Sequence, residues 1–219
     1  MASSFFNPKS KATRFLTGLC NLIIVNLLFM ISCVPVFTIG ASVTALYRIT
    51  IAIVAGDNPA IWRDYLKSFR DNFVKALLLS LIYISLTAFF LFEIYMVNNW
   101  LDKQFFWAQY PGYFFLIMIF ASACYSFPLL AWFHETIPQL LKNSVLLAIT
   151  NLPTTIMFMV FTGGLGYLLY EATTITMSCM ILMGFSFMAF FFSLFLKRIF
   201  NKLGADISFD DEKRIDTDK

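Results

Sequence analysis

Cys33-Val34-Pro35-Val36-Phe37-Thr38-Ile39-Gly40-Ala41-Ser42 interrupts a run, residues 15–47, that holds no charged side chain. As one helix that run would measure about 50 Å at 1.5 Å per residue, against about 30 Å for the hydrocarbon core of a bilayer. One straight span cannot use it up. Pro35 lacks a backbone donor and biases Val34 away from helical geometry, and Gly40 offers a place where the chain can turn. The stretch therefore predicts a helical hairpin, with a first span over 15–34, a break over 35–40 and a second span over 41–55. Arg48 lies inside the second.

Working outward, the composition agrees. Charged residues are 13% of the chain and hydrophobic ones 59%, and the mean hydropathy is +0.75; soluble domains carry roughly 25% charged residues. This is the profile of an integral membrane protein built as one helical bundle. The net charge of +3 does not point to a nucleic-acid partner, because the basic residues follow membrane topology. Of the 16 Lys and Arg, all but Lys103 and Arg48 fall in segments that the positive-inside tendency assigns to the cytoplasm. Lys9, Lys11 and Arg14 before an apolar stretch resemble a signal peptide, but the apolar run continues past Cys33, so the segment is read as retained.

Residues 1–14 form a short basic arm. After the hairpin, Gly56-Asp57-Asn58-Pro59 reads as a helix start, with Asp57 or Asn58 as cap. Trp62, Tyr65, Leu66, Phe69 and Phe73 then recur at helical spacing, opposite Arg63, Asp64, Lys67, Arg70 and Asp71. That pattern predicts an amphipathic helix lying in the cytoplasmic headgroup plane. Further spans are expected over 73–97, 112–133, 143–170 (kinked at Pro153) and 172–196, with an outer loop over 98–109 and a polar tail over 198–219. The expected fold is thus an all-α transmembrane domain over 15–197 with about six spans and both termini cytoplasmic. A second segment, over 36–55, that dips in without crossing is the open alternative.

No phosphate-binding loop, zinc-protease signature or Ser, His and Asp set is present, and the four cysteines are not paired in spacing. No catalytic, cofactor or metal site is expected, and the chain is read as non-enzymatic. Arg48 is the sharpest residue, since a cation within a span is costly and is kept by pairing, snorkelling or function. Asp71 or Glu135 are the expected partners. Glu93, near the outer end of its span, is read as interfacial. Asn151-Leu152-Pro153 is the second polar feature, because the proline frees a carbonyl that polar neighbours can satisfy.

Asn26, the 35–42 block with Ala45-Leu46-Tyr47, then Trp62 with Phe69-Arg70-Asp71-Asn72-Phe73, and later Asn151-Leu152-Pro153, together resemble the YesL family of small bacterial membrane proteins. The first block is the most specific. The resemblance implies a multi-pass protein of the bacterial plasma membrane that accompanies ABC-type oligosaccharide importers, with the permease subunits as partners besides membrane lipid. Pro35, Gly40, Arg48, Trp62, Phe69, Asn72, Asn151 and Pro153 are the candidate structural and partner-binding residues. The alternative function is an independent small-solute carrier or channel with a polar pathway near Arg48 and Asn151.

Overall fold

The computed structural model describes residues 11–57, 59–100, 107–133, 135–171, 178 and 183–202. All elements among them are helical: α1 (Lys11–Ser32), a 3-10 turn (Val36–Thr38), α2 (Ile39–Ala55), α3 (Ile61–Trp100), α4 (Gln109–Trp132), α5 (Ile137–Thr150), α6 (Leu152–Glu171) and α7 (Phe185–Lys202). Most of the basic arm, half of the loop over 98–109, the start of the last expected span and the polar tail from 203 on lie outside the described residues.

The break between α1 and α2 falls where the sequence places it, but six spans are not shown: the apolar part of α1, Thr17–Ser32, is shorter than a crossing helix. Pro35 precedes the 3-10 turn in extended geometry, φ −77° and ψ 118°. The elbow satisfies its own backbone: Thr38 Oγ1 donates to the carbonyls of Ser32 (2.5 Å) and Pro35 (2.6 Å). Gly40 has a different role from the one expected. It is the second residue of α2, not a turn. A Cβ there would run into Ser80 Oγ and come within 3.0 Å of the Ala76 carbonyl and a Phe127 ring carbon. Glycine is required because α2 approaches α3 and α4 this closely. The left-handed position falls at Gly56, φ 95°, which ends α2 by returning its N–H to Ala52 and Ile53. Gly56-Asp57 therefore closes one helix, and the next begins at Ile61. There the Asp64 carboxylate reaches back to the Ala60 N–H at 2.8 Å.

The separate interfacial helix is not observed. Its residues are the first turns of α3, a continuous helix of 40 residues. The aromatic stripe faces protein instead of headgroups. Tyr65 is 1% exposed and packs with Val25, Leu28, Phe29, Ala45, Leu46 and Ile49 of α1 and α2, and Phe69 and Phe73 line the main core. Trp62 alone of the stripe points outward, 64% exposed. The physical reason is that α1 and α2 need an apolar cover, and a neighbouring helix provides it as well as lipid would.

The buried centre is α2, which packs against α1, α3, α4 and α7. Hydroxyl pairs fasten the helices: Ser32 to Tyr65 (2.6 Å), Thr50 to Ser193 (2.8 Å), Tyr83 to Ser122 (2.7 Å) and Ser126 (2.5 Å), Ser122 to Ser144 (2.8 Å), and Tyr125 to Thr155 (3.0 Å). Glu93, expected at the interface, turns Oε2 inward against Gly112, where it is buried and finds no hydrogen-bond partner among the described residues. The expected kinked span is two helices, α5 and α6, bent by 96°. Pro153 begins α6 instead of kinking a continuous helix, because a proline is tolerated in a first turn. By length and composition three helices among the described residues can cross a membrane, Val36–Ala55, Ile61–Trp100 and Gln109–Trp132, and a fourth does so if the bent pair is one span.

Candidate functional site

Arg48 is 8% exposed, about two turns before the end of α2 and beside the last turn of α4. Its Nη1 donates to the Ala131 carbonyl at 3.0 Å, and its Cζ lies 4.1 Å from the centroid of the Trp132 ring. Ala131 is in the last turn of α4, where carbonyls have no partner within the helix and the macrodipole is negative. The guanidinium meets both demands, and its flat face suits the indole. The acids whose charge acts on it are Asp64 and Asp57. The two expected partners are placed otherwise. Asp71 is exposed, and the Glu135 carboxylate accepts both of its bonds from Asn143 Nδ2, each 2.9 Å.

The same device recurs once nearby, and a third cation reaches the loop after α4. Lys197 of α7 donates to the Val54 carbonyl in the last turn of α2 at 3.1 Å, and Lys75 of α3 donates to the Glu135 carbonyl just past α4 at 3.4 Å. Two cations, Arg48 and Lys197, thus each close the C-terminal end of another helix, and Lys75 holds the loop between α4 and α5. A charge-assisted bond of this kind is worth about 1.5–3 kcal/mol, and a cation over an indole adds about 0.5–2 kcal/mol. Such an arrangement locks helices at one end of the bundle.

Asn151 and Pro153 belong to another place, the bend between α5 and α6. Asn151 Nδ2 donates to the Leu147 carbonyl (3.2 Å) and Thr150 Oγ1 (3.1 Å), and Thr155 Oγ1 donates to the Ala148 carbonyl (2.9 Å). Ala148 is the carbonyl that a helix running straight on would have used, so Thr155 replaces a lost backbone bond. Asn72 Nδ2 donates to the Ser68 carbonyl of its own helix, 3.1 Å away. Phe69 stacks obliquely on Phe73 with centroids 5.7 Å apart. Pro35 and Trp62 are exposed. The sequence thus marks residues from an elbow, a clasp and a bend, which the structure keeps as three separate features.

Nothing in the sequence alone distinguishes Trp132, Lys75 and Lys197. A tryptophan or lysine at a span end is ordinary, and only the fold shows which carbonyl it reaches. Asn26 is fully buried, and its Oδ1 accepts the Ser186 N–H at 3.0 Å while Ser186 Oγ donates to the Leu22 carbonyl at 2.7 Å.

No curated protein and no solved structure matches the chain. Residues 22–94, from α1 to the distal part of α3, match the family described as "Protein of unknown function, DUF624", the family to which YesL proteins belong.

Proposed function

We propose that the chain is a non-enzymatic accessory subunit of an ABC-type carbohydrate import system in the bacterial plasma membrane, with both termini in the cytoplasm. The observation that carries this reading is the use made of Arg48. A transport pathway needs its ionisable residue open to a substrate or to water, whereas this guanidinium is buried against the Ala131 carbonyl and the Trp132 ring. Along α3 an apolar face is available to a partner. Val74, Leu78, Leu81, Ile84, Phe89 and Phe92 along α3 are all exposed, a surface fit for lipid or for the helices of a permease. The resemblance to YesL proteins is the reason for reading that partner as the permease of a carbohydrate importer.

Purification of the chain in mild detergent, followed by identification of what accompanies it, tests the reading. Permease subunits of a sugar importer are the expected companions. Reconstitution of the chain alone in liposomes covers the carrier alternative. Saturable oligosaccharide uptake, lost in Arg48→Gln at normal protein level, would replace the accessory role with an independent transporter.

A further inference from the structure

We propose that the α1–α2 hairpin enters and leaves the membrane by one face, the face at which α2 and α4 end, and that its elbow is seated among lipid acyl chains without reaching the other side. This inference concerns where the hairpin sits and is independent of the accessory role.

Contacts fix the depth of the elbow. Ser32 bonds to Tyr65, and the space at Gly40 is closed by Ala76 and Ser80 of α3 and by Phe127 of α4. Lys75 and Glu135, joined through the Glu135 carbonyl, mark where the uncharged lengths of α3 and α4 begin. The hairpin therefore turns within a few helical turns of that level. Beyond it α3 continues for about 30 Å from Ser80 to Trp100, and α4 extends about 27 Å from Phe127 back to Gln109, at 1.5 Å per residue. Those lengths carry exposed Leu81, Ile84, Phe89, Leu91 and Phe92 on α3, and Phe114, Phe115 and Ile117 on α4. Were the elbow at the opposite surface, all of these would stand in water, about a membrane thickness beyond it.

The elbow itself has the chemistry of a buried tip. Val34, Val36 and Phe37 are 78%, 76% and 62% exposed on the protein, and no charged residue occurs within 15–47. Irregular backbone in hydrocarbon must satisfy its own polar groups. Here Cys33 N–H donates to Phe29, Val34 N–H to Ile31 and Thr38 N–H to Pro35, while the Thr38 hydroxyl donates to Ser32 and Pro35. Acyl chains are thus the occupant that fits the exposed side chains. The arrangement also leaves Arg48 within the electrostatic reach of Asp64 and Asp57 and on the membrane-surface side of the elbow, which lowers the cost of a cation in mid-bilayer.

The test uses the full chain in a cysteine-free background, with Val36→Cys as the probe and Asn99→Cys and Lys142→Cys as markers of the two faces. In right-side-out and inverted vesicles, Val36→Cys is expected to lose labelling by an impermeant maleimide in both orientations while each marker labels in one. A fluorophore attached at Val36→Cys under denaturing conditions and refolded into lipid is expected to be quenched more by a nitroxide on the acyl chain than by one on the headgroup. Labelling from the Asn99 side would establish a full crossing and overturn the proposal. Labelling from the Lys142 side would place the elbow outside the bilayer, and protection without quenching by lipid would mean that protein covers it; either result also overturns it. Val36 is exposed, so its replacement leaves the packing intact, and a single gel-filtration peak confirms this for each variant.

Discussion

A guanidinium that closes another helix behaves differently on substitution from one that serves a substrate. Arg48 and Trp132 act as a unit on the Ala131 end of α4. Arg48→Gln keeps a donor but loses the charge and the flat stacking surface, and a loss of about 1–3 kcal/mol in stability is expected. Trp132→Leu should cost a comparable amount. Because the two side chains touch, the double variant is expected to lose less than the sum, by about 0.5–2 kcal/mol. Thermal unfolding in detergent, followed by gel filtration, measures all three. Strictly additive losses would show that the ring and the cation stabilise the fold separately, and the clasp would be discarded. Arg48→Lys is a further case: it retains charge, but an ammonium offers no plane to the indole, so rescue should be partial.

At the scale of elements, α3 shows why two very different placements share one sequence pattern. An aromatic stripe opposite a charged one is produced equally by a helix lying on lipid and by a helix covering its neighbours. The sequence of 61–72 contains nothing that separates them. Substitution does: Tyr65, buried against α1 and α2 and bonded to Ser32, should be far more sensitive than the exposed Trp62. Tyr65→Ala is expected to lower stability by about 3–5 kcal/mol, as removal of a buried aromatic usually does, and Trp62→Ala by less than about 0.5 kcal/mol, as at exposed positions generally. Abundance and melting temperature in membranes extracted with detergent check this. Comparable losses at the two positions would return the stripe to the membrane surface. The hairpin, by contrast, was legible, because an uncharged run too long for one span and a proline inside it leave few arrangements. Gly40 was legible as special but not for the right cause, since a close approach to Ser80 and Phe127 involves residues distant along the chain. Arg48 was legible by its cost alone. Its partner is a backbone carbonyl, and carbonyls carry no residue identity.

On the scale of the whole molecule, charge and hydrophobicity sort by height. Arg63, Lys67, Arg70 and Asp71 crowd the first turns of α3 and are exposed at the level of the clasp, apart from the stacked phenylalanines Phe90 and Phe115, centroids 4.8 Å apart, further along α3 and α4. The positive-inside tendency then assigns one face to the cytoplasm. Cysteines placed singly at Arg70 and Lys142 should label only in inverted vesicles, and one at Asn99 only in intact cells. Labelling of Arg70→Cys and Asn99→Cys from the same side would invert the arrangement of α3.

The bonds between the first hairpin and the last helix carry a consequence for biosynthesis. Asn26 and Leu22 are met by Ser186, Thr50 by Ser193, and Val54 by Lys197, partners separated by 143 to 164 positions. At about 5–20 residues per second a ribosome needs roughly 10–30 s to make that length. For all that time the nascent hairpin has its Asn26 amide and the end of α2 without their final partners. α7 therefore completes a hairpin inserted long before it, and the packing of α1 and α2 is settled only after residue 197 has been translated.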